Sequence, residues 1–161
     1  PELLEGEDRE RAKRLSGAVS DFGEYLWGLR NEERFCGESK SSPGAAFAYH
    51  APCHLRAQRV GFKGRDLIRK VTGSKPLSVL QCCGHDGTYA LKKEGFEASQ
   101  RWGRNAFEEM KEAGATTWVT DCPLAAIQFE QHAGVKPMHP VSVLAKALRG
   151  DPFPGNEEES K

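Results

Sequence analysis

A chain of 161 residues has the length of one domain and buries about two thirds of its unfolded surface, so it needs no metal merely to supply a core. Its 23 basic and 23 acidic residues balance, which excludes a broad basic field for nucleic acid or a membrane surface. No apolar run approaches a transmembrane length, and we expect no signal peptide. Five cysteines, an odd number, argue against a closed disulfide framework and suit metal binding or catalysis in a reducing compartment. We therefore expect a cytoplasmic protein.

The amino-terminal part, residues 1–44, predicts a docking helix followed by a linker. Apolar residues recur at steps of three and four over residues 15–29, which predicts one helix with Asp21 solvated on its outer face. Residues 31–44 are polar and rich in Ser, Gly and Pro, as is typical of a linker. Cys36 in this linker matches no motif, so we interpret it as a free surface thiol.

Strands and helices alternate in the following domain, which we place at residues 45–149. Short apolar runs predict strands at residues 45–50, 77–81, 116–120 and 135–138. Helical patterns occupy residues 64–72, 88–114 in two pieces interrupted by Gly95 and Gly103, 123–133, and 140–148. The alternation indicates an α/β fold with a mostly parallel sheet flanked by helices. The Pro-, Gly- and Glu-rich tail, residues 150–161, predicts disorder.

The cysteines of this domain follow predicted strands. Cys53, the adjacent Cys82 and Cys83, and Cys122 each come directly after one, as does His139. Because the carboxyl ends of parallel strands meet at one edge of a sheet, we expect these residues to converge in one pocket. Adjacent cysteines strain badly when they are bonded to each other. The pattern therefore favours thiolates that bind a metal centre.

Several separated motifs also carry a family resemblance. They are Tyr49-His50-Ala51-Pro52-Cys53-His54, Gln81-Cys82-Cys83-Gly84-His85-Asp86-Gly87-Thr88-Tyr89, Thr120-Asp121-Cys122-Pro123, and His139-Pro140. In order and spacing they resemble the cysteine-rich CCG domain in the B subunit of heterodisulfide reductase. They also resemble the carboxy-terminal CCG domains of iron–sulfur oxidoreductases such as the C subunit of anaerobic glycerol-3-phosphate dehydrogenase. The resemblance runs from about residue 48 to residue 148.

The resemblance implies a cofactor and its ligands. Such domains bind a [4Fe-4S] cluster, of the non-cubane type in heterodisulfide reductase, through the pattern C…CC…CxxC. The implied ligands are Cys53, Cys82, Cys83 and Cys122, and the implied function is electron transfer within an oxidoreductase. Flavin or iron–sulfur proteins would be the partners, and any membrane association would come through them. The last cysteine of the pattern is replaced by Ala125, so an incomplete cluster stays open as an alternative.

Two histidines stand beside the cysteines. We interpret His54 and His85 as cofactor-binding residues that donate hydrogen bonds to sulfur, with direct ligation as the alternative. Asp86 and Asp121 would orient these donors. Arg56 and Lys63 would offset the charge of the cluster, with a solvated surface role as the alternative.

Two other functions remain open. Cys53 or Cys122 at a helix amino terminus would have a lowered pKa, which suits a metal-free thiol–disulfide redox protein. A zinc-binding structural module is the other alternative. Its usual C-x2–4-C pairs are missing, and adjacent cysteines fit one tetrahedral ion poorly.

Overall fold

The computed structural model describes residues 1–35 and 45–154. Cys36 and the end of the tail, residues 155–161, lie outside the described residues. The interpretation of Cys36 as a free thiol and the predicted disorder of those seven tail residues therefore stay predictions. Within the described part of the chain, no helix combines the length and the apolar character needed to cross a bilayer.

The described residues form helices, strands and two short 3₁₀ turns. The helices are α1 (Gly6–Ala18), α2 (Phe22–Gly28), α3 (Cys53–Gln58), α4 (Lys63–Thr72), α5 (Lys93–Glu112), α6 (Pro123–Ala133) and α7 (Pro140–Arg149). The strands are β1 (Phe47–His50), β2 (Leu77–Val79) and β3 (Thr117–Thr120). The 3₁₀ turns are Glu33–Phe35 and Tyr89–Leu91.

The three described strands form one parallel sheet in the order β2-β1-β3. This confirms the predicted α/β fold with a parallel sheet flanked by helices. The predicted fourth strand is reduced to a single parallel bridge between Val119 and Met138. Pro137 precedes the bridge, and a residue without a backbone N–H cannot extend a ladder of hydrogen bonds.

Alternate residues of the central strand β1 face two separate cores. Phe47 and Tyr49 pack with residues of α4 and α7 on one side of the sheet. Ala48 packs on the other side, against α5 and α6, in a cluster that includes Cys83 and Phe129. This two-residue alternation follows from the pleat of a strand. It decides which neighbours each residue at the end of β1 can reach.

Helix α5 runs unbroken through both glycines that were expected to interrupt it, so the prediction of two helices is wrong. Gly95 and Gly103 are buried in α5. A Cβ at Gly103 would meet the Cys83 carbonyl and the Phe107 ring, and one at Gly95 would meet Tyr89. These glycines let neighbouring segments approach closely. That packing offsets the roughly 1 kcal/mol by which glycine weakens a helix.

The prediction of one amino-terminal helix over residues 15–29 is also wrong, because α1 ends at Ala18 and α2 begins at Phe22. The Asp21 carboxylate caps α2 and accepts hydrogen bonds from the N–H groups of Gly23 (2.9 Å) and Glu24 (3.4 Å). Aspartate at this position satisfies N–H groups that have no partner within the helix. Helix α1 buries no residue. The docking helix is α2, where Gly23 lies close to the Gly64 backbone of α4.

The first residues of the tail pack against the domain, contrary to the predicted disorder. Phe153 is 3% exposed, and its ring meets the edge of Phe47 at 5.2 Å between centroids. The Lys146 ammonium donates to the carbonyl of Pro152 at 3.0 Å. The tail contains one aromatic residue, and a single residue forms no periodic pattern from which such a contact could be predicted.

Candidate metal centre

Four cysteines that follow the three described strands line one cavity. Cys53 is the first residue of α3 after β1, Cys82 and Cys83 follow β2, and Cys122 is the N-cap of α6 after β3. They surround a cavity of about 480 Å³. Cys53 and Cys122 thus both stand at a helix amino terminus. The structure therefore brings together the four thiols that were selected from the sequence.

The four thiols differ in their burial. Cys53 and Cys82 are exposed, Cys122 is half-buried, and Cys83 is buried. Burial raises the pKa of the Cys83 thiol to about 11, although the backbone N–H of His85 donates to this sulfur and opposes the rise. The sulfurs of Cys82, Cys122 and Cys53, as thiolates, raise the pKa of Cys83 further. The thiols are thus close enough to repel one another when ionised, and a bound cation would relieve that repulsion.

Gly84 shapes the turn that carries the adjacent cysteines. Its φ of +78° lies in the left-handed region, and a Cβ there would collide with the backbone carbonyl of Ser99. The Ser99 hydroxyl donates to the Gly84 carbonyl at 2.8 Å, and the Gln128 amide donates to the Ser99 hydroxyl at 2.6 Å. The Gly84 N–H donates to the Cys82 sulfur at 3.3 Å. This turn thus directs backbone N–H groups at sulfur, an arrangement that favours negative charge.

His50 also lines the cavity, although no role was predicted for it from the sequence. Its Nδ1 lies 3.1 Å from the Thr120 hydroxyl, and its Nε2 lies 3.1 Å from the Gln81 carbonyl oxygen. Burial lowers the pKa of His50 to about 4, with the Gln81 bond opposing the shift and Arg56 adding to it. The ring is therefore neutral at pH 7. Its position at the end of a buried strand does not distinguish it from an ordinary core residue, so spacing alone could not identify it.

The two predicted histidines lie in different places. His85 is buried and lines the cavity, and its Nε2 has no hydrogen-bond partner among the described residues. His54 does not line the cavity. Its charge instead acts on Asp121, where it lowers the pKa. The cofactor-binding role of both histidines stays a prediction.

Asp121 and His139 lie together on the face of the sheet that α4 and α7 cover, away from the cysteine cavity. The Tyr49 hydroxyl donates to the Asp121 carboxylate. Burial raises the pKa of Asp121, while the Tyr49 bond and nearby His139 and His54 oppose the rise. Neither Asp121 nor His139 lines the cysteine cavity, whereas Asp86 and Arg56 do. The expectation that His139 joins the cysteines in one pocket is therefore wrong.

The donor side chains are spread around the cavity and are not gathered at one point. In residues 1–35 and 45–154, no three His, Cys, Asp or Glu side chains form a group that could hold a metal ion. The four sulfurs instead stand around a cavity. Ala125, one helical turn after Cys122, also lines this cavity and is 1% exposed. The cavity thus has a lining position without a donor atom next to its cysteines.

Comparison with known proteins gives the family. A family model described as a cysteine-rich domain, CCG, matches residues 47–130, just over half of the chain. The chain belongs to the CCG family. The matched CCG segment runs from β1 into α6 and contains every cysteine of the cavity. The family predicted from the motifs is confirmed.

Two relatives are similar to this CCG domain. They are the C subunits of anaerobic glycerol-3-phosphate dehydrogenase from Escherichia coli K12 and from Escherichia coli O157:H7. Each is 39% identical over 102 residues, which cover 62% of this chain and 26% of the relative. The match therefore spans about a quarter of the length of these curated relatives.

We expect Gly84→Ala to destabilise the CCG domain much more than Gly87→Ala. Both glycines have positive φ, but a Cβ at Gly87 meets nothing within 4 Å, whereas at Gly84 it meets the backbone of α5. The free energy of unfolding should fall by about 1 kcal/mol for Gly87→Ala and by more than about 2 kcal/mol for Gly84→Ala. Urea denaturation of both variants measures the difference. Equal losses would mean that the close approach of Gly84 to Ser99 does not constrain the turn.

We expect Cys83 to be the slowest of the four cavity thiols to react with iodoacetamide in metal-free protein. The thiolate is the reactive form, and a pKa of about 11 leaves roughly one thousandth of Cys83 ionised at pH 8. Its rate should rise about tenfold per pH unit up to pH 10. Tandem mass spectrometry of the modified peptides separates it from Cys82. Modification of Cys83 as fast as that of exposed Cys53 at pH 8 would contradict the prediction.

Proposed function

We propose that this domain binds an iron–sulfur cluster through Cys53, Cys82, Cys83 and Cys122 and transfers electrons as one part of an oxidoreductase. The observation that carries the proposal is the position of four thiols, from three separate strand ends, around one cavity. The similarity to one of the subunits of a dehydrogenase supports a role in an oxidoreductase.

The chemistry of the donors supports iron and sulfide. Iron–sulfur clusters are held by cysteine thiolates, and when bound they supply one-electron transfer. Cys82 and Cys83 are adjacent, so each sulfur can reach a different iron, whereas one tetrahedral ion would suit them poorly. The N–H groups of Gly84 and His85 donate to these two sulfurs. Such donors stabilise an anionic cluster.

The proposed cluster is of the [4Fe-4S] type. Four cysteines match the requirement of a [4Fe-4S] cluster, and Ala125 leaves the adjoining lining position without a ligand. His85 is the best placed additional group, because its Nε2 is buried without a partner among the described residues. We assign His85 a hydrogen bond to cluster sulfur, with ligation of iron as the alternative. For His54, which lies outside the cavity, cofactor binding stays a prediction.

The partners would be other redox proteins. The C subunit of anaerobic glycerol-3-phosphate dehydrogenase is by its name one part of a larger assembly. We therefore propose a flavin or iron–sulfur protein or domain as the donor or acceptor of electrons. We also propose a cytoplasmic location, with any membrane association through these partners.

The cluster proposal is tested by anaerobic purification with iron and sulfide analysis. Wild-type protein should contain both, and Cys53→Ser, Cys82→Ser, Cys83→Ser and Cys122→Ser should each lose most of the iron because a neutral hydroxyl is a poor replacement for thiolate. Cys36→Ser is the control and should retain wild-type iron. Wild-type protein that holds only zinc, or no metal and a reversible disulfide, would overturn the proposal in favour of one of its two alternatives.

We expect Ala125→Cys to retain iron longer in air than the wild-type protein. Position 125 lines the cavity, so a thiolate there adds a ligand and restricts access of oxygen to the iron. Ala126→Cys is the matched control, because Ala126 is also buried but does not line the cavity. Iron per chain against time in air is measured for the three proteins in parallel. Equal lifetimes for Ala125→Cys and the wild type would remove the idea of an incomplete ligand set.

A further inference from the structure

The cysteine-bearing segments begin where the backbone ladder of the sheet ends. The last paired residues are His50, Val79 and Thr120, and one further bond runs from the Ala51 N–H to the Val79 carbonyl at 2.9 Å. The cysteines lie two to four residues beyond these ends. Their relative positions therefore depend on contacts other than regular strand pairing.

The side chain of His50 supplies contacts to both neighbouring segments. A carbonyl oxygen only accepts, so Nε2 carries the hydrogen and donates to Gln81, the residue before Cys82. In the neutral ring Nδ1 then accepts from the Thr120 hydroxyl. The Thr120 oxygen in turn accepts the N–H of Cys122 at 3.4 Å. The imidazole of His50, at the end of β1, is thus linked by hydrogen bonds to the segments that carry Cys82 and Cys122.

The surroundings of His50 explain why these two bonds matter. The ring is 2% exposed and meets the edge of the Phe129 ring at 5.0 Å between centroids. A polar ring in such an apolar place is unfavourable unless both nitrogens have partners. Both have them here, and each partner belongs to a different strand end. An apolar residue would fill the space without fixing either segment.

We propose that His50 is a positioning residue that holds the segments carrying Cys53, Cys82 and Cys122 at the correct separation to bind a metal cluster. The consequence for the cofactor rests on the proposed function, whereas the positioning itself is measurable in metal-free protein. His50 is assigned no contact with the cofactor. It acts through the hydrogen bonds to Gln81 and Thr120.

Dibromobimane tests this positioning, because it becomes fluorescent when two nearby thiolates displace its two bromides. The background carries Cys36→Ala and Cys83→Ala, so that each remaining thiol follows a different strand. We expect His50→Leu to reduce the yield of linked thiols roughly tenfold, as expected for loss of buried hydrogen bonds. His50→Gln should retain most of the yield, because its amide offers one donor and one acceptor. His132→Leu, at a histidine that lines a different cavity, is the control and should link like the wild type.

The same variants with all native cysteines are then reconstituted with iron and sulfide under anaerobic conditions. His50→Leu should lose most of the iron and His50→Gln should retain it. Equal linking in His50→Leu and wild type, or equal loss in His50→Leu and His50→Gln, would overturn the positioning role. If His50→Leu does not fold, Thr120→Val against Thr120→Ser gives the same contrast. Wild-type protein that links thiols in the expected pattern but takes up no cluster would overturn the proposed function and leave the positioning role intact.

Discussion

The parallel pairing of β1 with both of its neighbours is the constraint on which the site depends. In this register His50 lies beside Val79 on one side and Thr120 on the other. The carboxyl ends of the three described strands are therefore aligned at one edge of the sheet. A cysteine follows each of these ends within four residues. An antiparallel neighbour would carry its cysteine to the other edge. Four thiols that are distant in sequence thus share a cavity of about 480 Å³ because of strand direction.

The pleat of β1 divides this edge into two chemically different sides. Tyr49 and His50 are adjacent, so they point to opposite faces of the sheet. The Tyr49 hydroxyl donates to Asp121, which lies beside Gly64 of α4 and Pro140 of α7. His50 instead packs against Phe129 and lines the cysteine cavity. Asp121 and Cys122 are consecutive in sequence, but Asp121 contacts Tyr49 whereas Cys122 lines the cysteine cavity. The polar contacts on the first side anchor the turn from which Cys122 extends.

Local patterns predicted the features that depend on local rules. The alternation of strands and helices indicated the parallel α/β fold. The helix predicted from residue 123 begins at Pro123, as the fixed backbone torsion of proline favours. The cysteine spacing selected the residues that line the cavity. Features set by contacts between distant residues were missed. Gly103 was expected to interrupt a helix, but its missing side chain makes room for the Cys83 backbone. The roles of the histidines could not be read from spacing either, because His54 stands next to a cysteine without lining the cavity while His50 lines it.

Iron K-edge X-ray absorption on the anaerobically purified full chain tests the central claim most directly. The account predicts iron surrounded by sulfur, with a short iron–iron scattering path that only a multinuclear cluster produces. Such a spectrum would show that the cavity bounded by Cys53, Cys82, Cys83 and Cys122 belongs to an iron–sulfur protein. Iron without an iron neighbour, zinc in place of iron, or protein that contains no bound metal would contradict the account.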